Sequence, residues 1–566
     1  MYTMETIREE NAMQKITSDW KRRMMRRRIR VFLILIPFLL CLPVYWNYYY
    51  HRKDYHAWSV LYMLYSSLRV YMLNIDIPMD TINEPTFAAW ARVFIEAARW
   101  GGLLVTGTFF FRLLRDIKEG YMTRRKTRRK DAVAIHGSSH YKRILGSALG
   151  DRSIVSDSPE KFRARQHVLA FEDNRELFDY FNEHLQDLLP DGEQSASSVY
   201  MCLSSGAHSY HTHNGLIVNN KAEDCARMYW RDFFVRRFGD KCERRVAIIG
   251  RGDFANALLT QALMVNVFLP GQPGMVYHVY GSGAYESMHP GIRRFTTGVE
   301  AEQEQDAVVF HSEDWHKDID RILQSDRIIL ADDAEDVNIA VLNGLRAFAS
   351  GARIHVRARD ERMMRVLFSD MDIDSHGSEG QICAFGTDKE LYTEEIILKE
   401  ALMRSAKMIH AHYLRDYGVA CKGCARACDE TACVSGCEHF EADWSSQTLF
   451  IQMANVRSAD HMDVKLRQVL AQDCKVDADA VRAYGKVYGE LRARDDLDEL
   501  RPLMEMEHRR WMRHLFINGW EYAADRDNEK KLHPLLVPFE QLDRAQWEKD
   551  IGPFDMLVPI LSAQFK

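Results

Sequence analysis

Arg244 to Leu259 reads RRVAIIGRGDFANALL: a β-branched run, a tight glycine turn, then the start of an apolar helix. Within it, Gly250-Arg251-Gly252-Asp253-Phe254-Ala255 has the form G-x-G-x-x-A. Glycines at those positions let the backbone approach a pyrophosphate at the N-terminus of the helix that follows. Gly250, Gly252 and Ala255 are therefore candidate nucleotide-binding positions. The acid expected about 20 residues on, where a ribose hydroxyl would be held, is absent. The next strand ends at Tyr280-Gly281-Ser282 instead.

Working outward, short β-branched runs alternate with helical patterns, which predicts parallel α/β architecture. After Arg244 the strands are MVYHVYG (Met275–Gly281), AVVFHS (Ala307–Ser312), RIILADD (Arg327–Asp333) and ARIHVRA (Ala352–Ala358). An earlier unit holds AVAIHG (Ala132–Gly137), SIVSD (Ser153–Asp157), HVLAF (His167–Phe171) and SVYMCLS (Ser198–Ser204). Its defect is the opposite one. Asp157 ends the second strand at the right distance from Gly137, but the turn GSSHYK has a single glycine. Gly137 and Asp157 join the candidate nucleotide positions, and neither unit carries a complete dinucleotide fingerprint. The expected domains are Rossmann-like units over 131–235 and 244–415.

Ahead of them, Val31 to Tyr50 (VFLILIPFLLCLPVYWNYYY) is free of charge, suits one membrane crossing, and gathers aromatic residues at its far end. A second apolar stretch runs from Phe87 to Leu114, with Arg92, Glu96 and Arg99 in its first half. Basic runs flank the outer ends of both, at Lys21–Arg30 and Arg124–Lys130, which predicts a hairpin in the inner (plasma) membrane with both termini cytosolic. Residues 1–53 carry eleven Lys/Arg against four Asp/Glu, while the whole chain has a net charge of −6. Because these basic runs abut the spans, they point to lipid and not to nucleic acid. His56 to Pro78 lies between the spans, interrupted by Arg69 and by serines, and reads as a re-entrant or interfacial helix. Span, half-span, span over residues 31–115, after a basic tail at 1–30, resembles the pore unit of potassium channels. In such a unit Ser66, Ser67, Arg69 and Asn74 fall in the pore region. That stretch, SSLRVYMLN, has no glycine and no T-V-G-Y-G filter, which puts potassium selectivity in doubt.

Two Rossmann-like units behind such a membrane segment resemble the RCK (TrkA-N) gating domains of potassium channels and transporters. The resemblance implies a homo-oligomer, a tetramer above all, in which a nucleotide-type ligand controls the membrane helices.

Within 416–445, CKGCARACDETACVSGC brings Cys421, Cys424, Cys428, Cys433 and Cys437 together, with His439 beyond. Thiolates at this spacing in a cytosolic segment are candidate zinc ligands; an iron–sulfur cluster would use the same groups.

After a helical linker at 446–500, the blocks Glu507-His508-x-Arg510-Trp511, Gly519-Trp520-x-Tyr522, Lys531-Leu532-His533-Pro534, Val537-Pro538-Phe539 and Lys549-Asp550 recur in an order that resembles the RyR domain, over 501–566. Trp511, Trp520 and Tyr522 are candidates to stack a base, and Arg510, Lys531 and His533 to face phosphates, with Glu507 and His508 in the same pocket.

The chain is too long for one domain, and at 46% hydrophobic and 28% charged residues it is neither disordered nor a bundle of membrane helices alone. The function expected is a ligand-gated, channel-like membrane protein. A non-conducting membrane-anchored sensor is the alternative. A membrane-tethered NAD(P)-dependent enzyme is disfavoured, because no catalytic pair stands near the Gly250 turn.

Overall fold

A computed structural model describes residues 32–50, 58–72, 74–190, 197–204, 215–239, 242–294, 306–312, 314–346, 348, 353–368, 373–374, 382–416, 437–494 and 496–565. The chain divides into two compact units, Met1–Arg124 and Arg125–Lys566.

In the first unit, α1 (Phe32–Tyr50) is the one helix among the described residues that is long and apolar enough to cross a membrane. The segment expected to be re-entrant folds as α2 (Ser59–Leu68), which tightens into a 3-10 turn over Arg69–Met72. The second apolar stretch lies within α3 (Ala89–Thr127), a helix that continues well past the expected boundary at 115. Charges at both ends dilute its apolar stretch; in its first half Arg99 pairs with Glu96 at 2.6 Å. Small residues let the elements close up. At Gly101 a side chain would press on Pro37 of α1, and at Gly102 it would meet the Val70 carbonyl. Thr106 of α3 donates to the Tyr71 carbonyl at 2.7 Å.

The second unit contains two parallel sheets. The first is built from β1 (Val133–Gly137), β2 (Ser153–Ile154), β3 (Gln166–Ala170), β4 (Ser198–Leu203) and β5 (Leu216–Asn220), in the order β2-β1-β3-β4-β5. Helix α4 (Ser139–Leu149) follows β1, and α5 (Lys221–Asp232) follows β5 under an Asn220 side-chain cap. The second sheet takes β6 (Arg245–Ile249), β7 (Val276–Tyr280), β8 (Ala307–His311), β9 (Arg327–Leu330), β10 (Arg353–Arg357), β11 (Ile373–Asp374) and β12 (Ile382–Phe385). Its order is β11-β12-β10-β9-β6-β7-β8, so β6 and β9 flank the point where strand order reverses, as in a Rossmann fold. Helix α6 (Asp253–Val265) leaves β6 and packs on α5, where Trp230 donates to the Leu258 carbonyl at 2.9 Å. Both sheets bury apolar strands, such as Val133–Ile135 in the first and Ile328–Leu330 in the second, the continuous pattern that two-sided burial demands.

The rest is helical: α7 (Ala401–Asp416), α8 (Glu438–Ser446), α9 (Leu449–Asp460), α10 (Met462–Leu470), α11 (Ala478–Ala493) and α12 (Leu497–Ile517). Within the expected helical linker, α9 and α10 are divided at His461, whose buried ring bonds the Val267 carbonyl at 2.9 Å. α11 and α12 are likewise separate helices, and α12 starts under an Asp496 cap. A two-residue pairing, β13 (Glu521–Tyr522) with β14 (Leu532–His533), follows α12. Arg513 of α12 holds this region to the second sheet, pairing with Asp306 at 2.5 Å.

Candidate functional site

In an open parallel sheet, ligands enter at the carboxyl ends of the strands where the order reverses. In the second sheet that place is the Gly250 turn. Gly252 has φ +93, which a side chain tolerates poorly, and a Cβ there would run into the Asp333 carboxylate. Asp333, just past β9, accepts hydrogen bonds from the N–H groups of Asp253 (3.0 Å) and Phe254 (3.1 Å). Its neighbour Asp332 accepts from the Arg251 N–H at 3.0 Å. Two first-turn donors of α6, together with the Arg251 N–H, are thus engaged by the chain's own carboxylates. Ser282 donates to the Gly250 carbonyl at 3.3 Å, and Ala255 is buried in the core.

The first sheet's turn is held differently, with the Ser138 N–H donating to the Ala170 carbonyl at 3.1 Å. Gly137 has φ +128, and any side chain there would overlap the Ala170 carbonyl. Ser138 caps α4, and Glu172 beyond β3 pairs with Arg359 at 2.8 Å. Arg359 also reaches Asp388 at 3.3 Å; Asp388 holds Lys221 at 2.5 Å and His140 at 2.8 Å. Burial opposes ionisation of Asp388, yet the charges of Lys221 and Arg359 and the bond to His140 hold its carboxyl below the ordinary range. Asp157 lies beyond the end of β2, largely exposed, and pairs with Lys142 at 2.5 Å.

The residues expected to line the C-terminal pocket divide into two groups. Glu507 is buried in an ion-pair network, accepting from Arg510 at 2.7 Å and lying 2.7 Å from the Lys465 ammonium. Burial raises its pKa, but Arg510 and Lys465 prevail and keep it well below the usual carboxylate value. His508 bonds the Val537 carbonyl at 2.9 Å and lies 3.5 Å from Asp550. Trp511 packs between His508 and His533, with ring centroids at 5.5 and 5.0 Å. The His533 Nδ1 accepts from the Leu535 N–H at 3.1 Å, and burial pulls its pKa down to about 4. Tyr522 is exposed on β13. These side chains organise the small domain itself.

Trp520 and Lys531 instead line a cavity of about 570 Å³. One wall is the C-terminal region, with His514, Asn518, Trp520, Arg526 and Lys531; a second is α9 with its Thr448 cap, through Phe450, Met453 and Arg457; a third is α5 and α6, through Glu223, Thr260 and Gln261. The Phe450 ring lies near-parallel to His514 at 4.9 Å and to Trp520 at 5.2 Å. Lys531 is held over the edge by its bond to the Asn518 carbonyl (3.0 Å), and Arg526 by Asn528 (2.9 Å). A stacking surface under two exposed cations suits a flat ring that carries negative charge. Phe450 and His514 lie outside the sequence motifs. The helical pattern of α12 could have exposed His514, one turn beyond Arg510; Phe450 carried no signal.

Of the pore-region residues, Ser66 and Ser67 are buried and Asn74 is exposed. Arg69 pairs with Asp76, which also accepts from the Ser66 hydroxyl at 2.5 Å. Cys421, Cys424, Cys428 and Cys433 lie outside the described residues. Cys437 is half-buried at the N-cap of α8, and His439 belongs to that helix. Among the described residues no cluster of His, Cys, Asp or Glu could hold a metal ion.

Residues 494–563 match the RyR domain family, the segment expected from the motif blocks. No curated protein matches the chain. Among solved structures it is similar to the crystal structure of a GsuK mutant, at 12% identity, covering 67% of this chain and 99% of that one, with a TM-score of 0.28. That score is too low to equate the two folds.

Proposed function

We propose that the protein is a ligand-gated, channel-like membrane protein whose sensor is the cavity at the RyR domain. The carrying observation is that this cavity combines stacked rings with exposed Arg526 and Lys531, whereas at the Gly250 turn the N–H groups of Asp253 and Phe254 are already engaged by Asp333. A nucleotide-type ligand fits this chemistry: its base meets Trp520 and its phosphates meet the two cations. The Rossmann pair then serves as the frame that reports occupancy and not as the binding site. The membrane part is a two-span hairpin with both ends in the cytosol. Its second span is α3, whose exposed Phe109, Phe110, Phe111, Leu113 and Leu114 suit lipid or a second copy of the chain. The assembly is a homo-oligomer, a tetramer by the architecture of the resemblance, and the Cys421–His439 segment binds zinc.

A second reading, a non-conducting sensor, is favoured by one specific feature. The Ser66–Asn74 stretch lacks glycine, and its only cation is engaged by Asp76. Reconstitution in planar bilayers with ATP as the probe separates the two. ATP-dependent current that is lost in Trp520→Ala supports the channel. ATP binding without current supports the sensor. No ATP binding in titration overturns the cavity as a nucleotide site.

A further inference from the structure

We infer that Phe450 stands in the place of the ligand's ring in the resting protein, and that α9 is the element a ligand moves. This rests on the reading that the cavity is the sensor site.

Phe450 is the second residue of α9, and its ring is near-parallel to both His514 and Trp520, with interplanar angles of 25°. Its centroid separations of 4.9 and 5.2 Å are those of stacked aromatic pairs. His514 and Trp520 come from the RyR domain, so a side chain from outside that domain satisfies the domain's own stacking surface. A base that stacks on Trp520 needs the same surface, and the two rings compete for it.

The opposite end of α9 is clamped to both Rossmann units. Arg457 donates to Glu223 of α5 at 2.8 Å and to the Gln261 side chain of α6. Asp460 accepts from Arg227 of α5 at 2.8 and 2.9 Å and from Gln261 at 2.8 Å. A helix of 12 residues is a stiff rod about 18 Å long. Expelling Phe450 from one end therefore loads the clamp at the other, where α5 and α6 join the two sheets. The coupling is a difference in ligand affinity between Phe450-in and Phe450-out states, and it limits the ligand to one bearing a planar ring.

Titration of the full chain in detergent micelles with ATP tests the competition. Phe450→Ala is expected to bind at least tenfold more tightly than the wild type, because the occupant is gone. Phe450→Trp, which fills the slot more fully, is expected to bind more weakly. Trp520→Ala is expected to lose binding in either background. If Trp520→Ala loses binding while Phe450→Ala binds no better than the wild type, Phe450 is part of the platform and only this inference falls. If Trp520→Ala binds as the wild type does, or if neither the wild type nor Phe450→Ala binds ATP, the cavity reading falls and this inference with it.

Discussion

The Asp333 carboxylate accepts hydrogen bonds from the backbone N–H groups of Asp253 and Phe254, so a side chain from beyond β9 caps the helix that leaves β6. A bound phosphate would make the same bonds. The cap accounts for a glycine turn of the right form that is not open to an anion. Asp333→Ala is expected to cost about 1 kcal/mol, the usual worth of a helix cap, and to admit an anion. Calorimetry with inorganic pyrophosphate should show binding at millimolar concentration in Asp333→Ala and none in the wild type. Equal behaviour of the two proteins would mean that the turn is closed by more than this carboxylate. Gly252→Val is no substitute, because its φ of +93 and the adjacent Asp333 make any side chain there disruptive.

Glu507 anchors the buried charges of the RyR domain, where Arg510 and Lys465 both converge on it. Removing one partner of a buried network leaves the others uncompensated, at a cost of about 3–5 kcal/mol. Glu507→Gln keeps the shape and removes the charge, so it should lower the unfolding free energy by that amount, read from the shift of the denaturation midpoint. The motif glutamate then reads as architecture. Loss of ATP binding with unchanged stability would return it to the pocket.

Two buried histidines give a pH signature. Burial pushes His514 down to about 3 and His136 down to about 2. In the unfolded chain each takes up a proton near pH 6.5, while in the fold it stays neutral. Stability is therefore full above about pH 6.5 and falls as pH drops towards the folded values, because the unfolded state then binds more protons. At pH 5 the loss from His514 alone is about 2 kcal/mol, taking 1.36 kcal/mol per unit over roughly 1.5 units. Thermal midpoints at pH 7.5 and 5.0 should converge in His514→Phe relative to the wild type. A variant with the full wild-type pH slope would remove His514 from the account.

The sequence carried the architecture further than the site. Runs such as Val246–Ile249 and Val133–Ile135 are continuous and β-branched because both faces of their sheets are covered, and a continuous run is legible without partners. β5, β11 and β12 were not read: two are very short or enclosed by uninformative residues, and Leu216–Asn220 ends in polar asparagines. The RyR blocks were legible as a family pattern, but a pattern does not distinguish a residue that builds a domain from one that lines its cavity. Glu507 and Arg510 neutralise each other, whereas Lys531 remains at the surface. Only the fold brings Phe450 against Trp520, or Asp333 against the N–H of Phe254, since each pair is distant in sequence.

The cysteine segment makes a compositional prediction. Cys421, Cys424, Cys428, Cys433, Cys437 and His439 are six candidates for the four positions of a tetrahedral site, so not all of them are expected to be ligands. Elemental analysis of purified protein should give one zinc per chain, lost in the double substitution Cys421→Ser and Cys424→Ser. Zinc content equal to that of the double variant would dismiss the site, and iron in its place would indicate a cluster.

The membrane unit offers a test of its own through Arg69 and Asp76. Asp76 gathers the half-helix around itself: Arg69 pairs with it, Ser66 donates to it at 2.5 Å, and its N–H donates to the Tyr45 hydroxyl of α1 at 3.0 Å. The two side chains are about a quarter exposed, at 28% and 23%, so the pair sits between a surface bridge and a buried one. Asp76→Ala leaves Arg69 uncompensated and is expected to cost about 1–3 kcal/mol, between the values for a surface pair and a buried one. Replacing both, as Arg69→Met with Asp76→Leu, removes the stranded charge and should recover most of that loss, since an apolar pair of similar volume is often neutral or better. Melting in detergent micelles checks the order: wild type and double variant close together, Asp76→Ala well below. If the double variant melts as low as the single one, the bond from the Ser66 hydroxyl to the carboxylate, and not the pair with Arg69, holds the half-helix in place.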